Sequence, residues 1–441
     1  MERILALGSN GSGQLGIGHR DDVSEATKCI FDIDTDSRPN KNNGKTVETR
    51  DTVKRISCGG NHTLVLFESG TVYAAGLNED LRCGVHRTDL NRGEDGDVLT
   101  RFKRVIFRLG ATGVEIDRFR DVCATWSASC FVASIPSTDK NGDGKNIVIS
   151  LGTGDKGELG LGPGLRSTPP ARNKDDHDFI DVDDYVLTDF PPLNTRIETI
   201  SSGMNHVVTI LSNGDFYGWG ASRKGQLGDD INIVRAKAVW APMKIDVTKL
   251  EAVPTSVSCG REFTFIDGYK KDETGVKEGQ YMYTILGTND KWNIVSAAPP
   301  VQTLQRSSLT ESRYEVSTSW HGVYLHNTLD NSVIAWGRND RGQLGVDKQS
   351  SGSQQSLVRW ESVVQFMAGS EHAIAVLSRD KTVVSCGWGE HGNCGPDTDE
   401  RGDVKGRLSQ IPLPADVLHA EKARIVRVGA GCATSWIVVS S

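Results

Sequence analysis

GRNDRGQLG, residues 337–345, returns along the chain as GSNGSGQLG from Gly8, GLNEDLRCG from Gly76, GTGDKGELG from Gly152, GASRKGQLG from Gly220 and GWGEHGNCG from Gly387. A worn copy, GTNDKWNI, begins at Gly287. The leading glycines at 287, 337 and 387 stand 50 residues apart, and the earlier ones are spaced more widely. A unit that recurs every ~50 residues with variable insertions is one supersecondary element repeated, as in a propeller.

A second motif precedes most copies. Residues 56–76 read ISCGGNHTLVLFESGTVYAAG, residues 200–220 ISSGMNHVVTILSNGDFYGWG, and residues 366–387 FMAGSEHAIAVLSRDKTVVSCG. Each is a strand, a polar turn and a second strand, rich in Val, Ile, Leu and Tyr. The C-terminal VRVGAGCATSWIVVSS is the first part of a repeat, and the N-terminal ERILALGSNGSGQLG is its second part. Joined, they make one unit and remove an exposed sheet edge. The expected fold is an all-β, seven-bladed β-propeller, its ring closed by pairing of the N-terminal and C-terminal strands. It forms one domain over residues 1–441, with surface insertions at about 29–52, 86–118, 136–146, 163–196, 267–280, 296–312 and 396–422.

The net charge is -7 and the sequence pI about 5.9, which argues against direct nucleic-acid binding, where phosphate neutralisation supplies most of the affinity. The 9 Cys include no C-x-x-C pair, and the N-terminus lacks the pattern of a signal peptide. No apolar run approaches the ~20 residues of a membrane span. These features predict reduced, small core cysteines and a cytoplasmic or also nuclear protein without membrane contact.

The G-x-N-x-x-G-Q-L-G and C-G-x-x-H-[TS] pair resembles the regulator-of-chromosome-condensation repeat over the whole chain. GWGEHGNCGP from Gly387 and GCATSWIVV from Gly431 are similar to the alpha-tubulin-suppressor branch, the killer-toxin-insensitivity propellers. The resemblance implies a heterodimer with a small CSL-type zinc-finger protein of the diphthamide pathway. It also implies support of diphthamide formation on elongation factor two and, through that partner and Elongator, of tRNA wobble-uridine modification. The family's founder suggests the competing reading, guanine-nucleotide exchange on Ran. A generic scaffold is the third.

No catalytic, cofactor or metal site is expected, and the chain reads as a binding protein rather than an enzyme. His62, His206 and His372 recur at one repeat position, with Ser127, Phe263 and Cys432 at similar positions elsewhere, which suits packed histidines better than ligands. Asp139-Lys-Asn-Gly-Asp-Gly144 mimics a calcium loop but has Ser150 where the bidentate Glu belongs. Neither a G-x-x-x-x-G-K-[ST] loop nor H-E-x-x-H occurs. Partner contact is expected in and beside the turns of the last third, where departures from the repeat are most frequent: Trp320, His321, Glu371, His372, Trp388, Glu390, His391 and Trp436. Trp126 and Arg261 also depart from the consensus, whereas Trp219 and Trp336 hold a repeat position.

Overall fold

The computed structural model describes residues 2–32, 51–86, 97–110, 112–135, 144–165, 167, 179–271, 277–287, 290–304, 314–345, 357–378, 382–418 and 423–440. Among these residues, seven antiparallel sheets each meander outward from an inner strand. Sheet 1 comprises Val53–Cys58, His62–Phe67, Val72–Leu77 and Val98–Arg104. Sheet 2 comprises Phe119–Ala124, Ala128–Ile135 and Lys145–Gly152. Sheet 3 comprises Ile197–Ser202, His206–Leu211, Phe216–Ala221 and Ala238–Lys244. Sheet 4 comprises Val253–Cys259, Thr264–Lys271 and Lys277–Leu286. Sheet 5 comprises Tyr314–Ser319, Gly322–Asn327, Ser332–Gly337 and Val358–Trp360. Sheet 6 comprises Val363–Ala368, His372–Leu377, Thr382–Trp388 and Asp403–Gln410. Sheet 7 begins with Arg424–Ala430 and Thr434–Ser440 and is completed by Arg3–Gly8 and Val23–Lys28 from the other end of the chain.

Second strands such as HTLVLF and HVVTIL are buried almost throughout, because both faces of each sheet pack against a neighbour. Each hydrophobic cluster is accordingly shared between sheets. Val208, Ile210 and Phe216 of sheet 3 meet Val257, Ile266 and Leu286 of sheet 4. Ile4, Ala6, Trp436 and Val438 of sheet 7 meet Val65 and Ala75 of sheet 1. Arg3–Gly8 pairs with Thr434–Ser440 in register from Arg3 opposite Val439 to Gly8 opposite Thr434.

Several expected insertions are strands instead. Val98–Arg104 falls within 86–118, Lys277–Leu286 overlaps 267–280, and Asp403–Gln410 falls within 396–422. Outer strands such as DVKGRLSQ are half solvated, so their pattern reads as a loop. Phe107–Leu109, Val114–Ile116 and Ile180–Asp181 form a small separate sheet. It anchors the acidic stretch IDVDD, residues 180–184, through buried Ile180 and Val182 while Asp181, Asp183 and Asp184 face solvent. The calcium-like residues 139–143 lie outside the described residues.

The repeat motif is explained where the inner strands turn. The leading glycines of the nonapeptides take φ between +100° at Gly220 and +146° at Gly287, a region that side chains disfavour. They pair with the histidine position: His62 with Gly76, His206 with Gly220, His372 with Gly387. The same register places Ala128 opposite Gly152 and Thr434 opposite Gly8, so Ala128 and Thr434, not Ser127 and Cys432, are the counterparts of these histidines. Gly59, Gly203 and Gly369 lie beneath the imidazoles of His62, His206 and His372, and a Cβ on any of them would collide with the ring. Each imidazole Nε2 then shares a hydrogen bond with a hydroxyl of the next sheet. His62 reaches Ser129 at 2.8 Å, His206 reaches Thr264 at 3.0 Å and His372 reaches Ser435 at 2.9 Å.

Two outcomes are expected. Ile4, Leu5, Ala6 and Leu7 are at most 3% exposed, so removal of residues 2–7 strips sheet 7 of a core strand. The truncated chain should melt well below the full one in calorimetry; an unchanged melting temperature would show that the strand contributes nothing.

Burial also pushes the His62 imidazole down to about 3, and those of His206 and His372 to about 4. The unfolded chain takes up these protons first, near pH 6.5, so stability is complete above that pH and is lost as pH falls toward 4. The slope is roughly 1.4 kcal/mol per pH unit per histidine. Urea unfolding at pH 7, 6 and 5 should show this loss, and His206→Gln should flatten it by about one histidine's share; an identical slope in the variant would remove His206 from the account.

Candidate protein-interaction face

The inner turns form a chain of backbone hydrogen bonds around the axis. Gly60 N–H donates to Trp126 O at 2.9 Å, Trp126 N–H to Met204 O at 2.9 Å, Arg261 N–H to Trp320 O at 3.0 Å, Trp320 N–H to Ser370 O at 2.9 Å, and Ser370 N–H to Gly431 O at 2.9 Å. This chain sets adjacent side chains of successive turns on one end of the molecule. Trp126 of sheet 2 and Trp320 of sheet 5 meet there with ring centroids 5.8 Å apart. The Arg261 guanidinium lies 5.1 Å over the Trp320 ring. A cavity of about 160 Å³ lies beneath these turns, lined by Cys58, Gly203, Cys259 and Gly431 among others. Trp126 is 36% exposed, unusual for a tryptophan at a position held elsewhere by Gly60 or Ser370.

The patch continues outward between sheets 5 and 6. Arg338 N–H donates to His321 O at 2.8 Å and Trp388 N–H to Glu371 O at 2.9 Å, which sets these four residues side by side. Arg338 pairs with Glu371, and its other amine donates to Asp340 at 2.8 Å. The same guanidinium sits 4.9 Å over Trp292, and Lys291 Nζ approaches that ring at 4.7 Å. Trp292 also contacts the His321 ring at 5.7 Å. Burial, with Arg261 and Arg338 nearby, pushes His321 down to about 4, so it is a neutral imidazole at physiological pH. Its buried Nδ1 has no hydrogen-bond partner among the described residues. Farther out, Arg341 lies 5.3 Å over Trp388, Trp388 Nε1 donates to Glu390 at 3.1 Å, and His391 pairs with Asp22 at 2.7 Å.

Of the eight residues expected at the interface, Trp320, His321, Glu371, Trp388, Glu390 and His391 thus share one end of the fold. Two do not belong. His372 is buried and serves the link between sheets 6 and 7. Trp436 is 0% exposed and packs in the core against Phe102. It stands two residues after Thr434, where the other sheets place the equally buried Leu64, Cys130, Val208, Phe265, Tyr324 and Ile374. Trp292, Arg338 and Arg341 were missed by the sequence reading. Their signal was an arginine on either side of Asn339-Asp340 and a tryptophan in the worn nonapeptide. Trp219 and Trp336 are structural, as expected: each Nε1 donates at 2.9 Å to a backbone carbonyl in the preceding sheet's nonapeptide, Glu158 O and Ile294 O. Among the described residues no group of three or more His, Cys, Asp or Glu is arranged to hold a metal. Burial pushes Cys58 and Cys432 up to about 11, away from thiolate reactivity.

These are the features of a β-propeller that presents a set of inter-strand turns as a surface. The chain belongs to the RCC1-like domain family, whose match spans residues 3–437. An RCC1 repeat-containing protein of Schizosaccharomyces pombe is 29% identical over 99% of this chain and 98% of its own length. The secretion-regulating guanine nucleotide exchange factor of Mus musculus is 25% identical over 99% of this chain and 83% of its own. Among solved structures, Prp20p of Saccharomyces cerevisiae aligns with a TM-score of 0.65 at 16% identity, covering 100% of this chain and 92% of that one. Human WBSCR16 aligns with a TM-score of 0.63 at 15% identity, covering 100% and 99%.

The two kinds of tryptophan should respond differently to truncation. Trp436→Ala leaves a large core cavity and should cost about 3–5 kcal/mol in urea unfolding. Trp388→Ala, half-buried on the outer face, should cost clearly less, roughly 1 kcal/mol. Equal losses would mean that the outer tryptophan is core after all.

Proposed function

We propose that this chain is a non-enzymatic, protein-binding propeller of seven blades, with its ring closed by the N-terminal and C-terminal strands, and that its tryptophan face docks a small CSL-type zinc-finger protein as a heterodimer. The cyclic sharing of hydrophobic clusters, including the one between sheets 7 and 1, supports the seven-bladed ring. The observation that carries the binding role is the row of half-buried tryptophans, each under a cation: Trp320 under Arg261, Trp292 under Arg338 and Lys291, Trp388 under Arg341. Aromatic and arginine side chains fixed in this way are typical interface anchors, because little rotamer freedom remains to be lost on binding. The choice of partner rests on GWGEHGNCGP and GCATSWIVV. From that partner follow the roles in diphthamide formation on elongation factor two and in Elongator-dependent modification of the wobble uridine.

Calorimetric titration of the folded chain with the purified zinc protein tests this. Trp388→Ala and Trp320→Ala should each weaken binding by about 2 kcal/mol or more, with native circular dichroism. Unchanged affinity in both would move the interface to another surface. A second reading, guanine-nucleotide exchange, has the name of the Mus musculus relative in its favour. It predicts stimulated GDP release from a Ran-type GTPase at catalytic concentrations of this chain; the binding role predicts none.

A further inference from the structure

The inner strands enclose a second cavity, at the end of the axis away from the tryptophan turns. Its volume is about 530 Å³, within the range of small-ligand sites. It joins the smaller cavity through a shared ring of small residues that includes Cys58, Ala124 and Ser202. Arg55 lies five residues before Gly60, so at ~3.3 Å per residue its level is about 16 Å from the tryptophan turns. The lining carries three cations, Lys54, Arg55 and Arg427, against one carboxylate, Asp121.

The lining groups differ in how far they are committed. Arg55 donates to Asp121 at 2.6 Å and to Ile200 O at 3.0 Å, which fixes it between sheets 1, 2 and 3. Lys54 Nζ donates to Arg120 O at 2.7 Å. Arg427 donates through Nε alone, to Val53 O at 3.1 Å. That bond holds the guanidinium in place while its two terminal amines make no bond to the described residues. Ser57 accepts from Ala124 N–H at 3.0 Å, which leaves its own proton to donate. Of the hydroxyls that other sheets bring, Ser317 donates to Met367 Sδ at 3.4 Å, Ser256 bonds Asp267 and Ser201 bonds Cys259, whereas Thr199 makes no side-chain bond to the described residues. The uncommitted hydroxyls of Ser57 and Thr199, with the Arg427 guanidinium at one rim, suit an anion that accepts in several directions at once. Phosphate does so and takes guanidinium bidentately. Lys54 and Arg427 are exposed at the mouth of the well, so their attraction for the anion is screened by salt.

We propose that this well binds a small soluble anion bearing phosphate groups, held by the free fork of Arg427, by Lys54 and by the hydroxyls of Ser57 and Thr199. The site is independent of the protein-binding face, and either can fail alone. The test is calorimetric titration of the full chain with inorganic pyrophosphate at low ionic strength. Single-site saturation is expected, weakening with added salt. Arg427→Gln and, separately, Lys54→Gln should each reduce affinity about ten-fold, the loss of one charge-assisted bond. Trp388→Ala, at the opposite end, should leave pyrophosphate affinity unchanged. Melting temperatures without ligand establish that each variant is folded. No saturable binding, or equal affinity in both charge variants and the parent, would overturn the proposal.

Discussion

Everything in this fold is governed by the crowding of inner turns around one axis. Where the turns converge there is no room for a side chain at Gly59, Gly203 or Gly369, because the imidazole of the same sheet lies over the glycine. That imidazole in turn bonds a hydroxyl of the next sheet. The glycine, the histidine and the neighbour's Ser or Thr are one device spread over two repeats. The pattern holds in the negative as well. Ala128 is followed around the axis by Val207 rather than a hydroxyl residue, Phe263 by Val323, and Gly322 by Ala373. Where no hydroxyl waits, no histidine is present, since an unpaired buried imidazole would cost stability.

The candidate interaction face depends on this device. Because the turns are held to one another by backbone bonds, the residue after each inner glycine position is fixed in direction whatever its side chain. Small residues there, Gly60 and Ser370, leave the axis open; Trp126 and Trp320 close over it. The nonapeptide of sheet 5 adds two arginines, which stack on a tryptophan to either side. The counterions Glu371, Asp340 and Asp403 neutralise them, so the face is aromatic and finely charged rather than basic. The well at the other end of the axis has the opposite character, polar and cationic, and the two ends can serve different ligands.

Much of this was legible in the sequence. The leading glycines marked the repeats because positive φ tolerates little else, and the split repeat at the two ends of the chain predicted which strands pair. The recurrence of histidine at one position marked it as packed. What failed was register. Taking Ser127 as a counterpart of the histidines shifted one repeat by a single residue, which exchanges the faces of a strand, and taking Cys432 shifted another by two, which keeps the faces but compares each residue with the wrong neighbour. With the two-residue shift Trp436 looked like a departure, although it stands at a core position that the other six propeller sheets also bury. Outer strands were hidden for a different reason: half solvated and interrupted by polar residues, they lack the alternation by which strands are recognised. The pairing of Arg338 and Arg341 with tryptophans of neighbouring repeats was out of reach, since it joins residues up to 47 positions apart.

The central claim is that one end of the propeller, built on the inner turns and the nonapeptide of sheet 5, is where a protein partner sits. Hydroxyl-radical footprinting of this chain, alone and saturated with the purified CSL-type zinc protein, addresses it directly, because tryptophan oxidation reports solvent access residue by residue. The account predicts protection of Trp126, Trp292, Trp320 and Trp388 in the complex, with the buried Trp219, Trp336 and Trp436 unreactive in both states. Protection confined to other surfaces, with those four tryptophans oxidised as fast in the complex as alone, would contradict it.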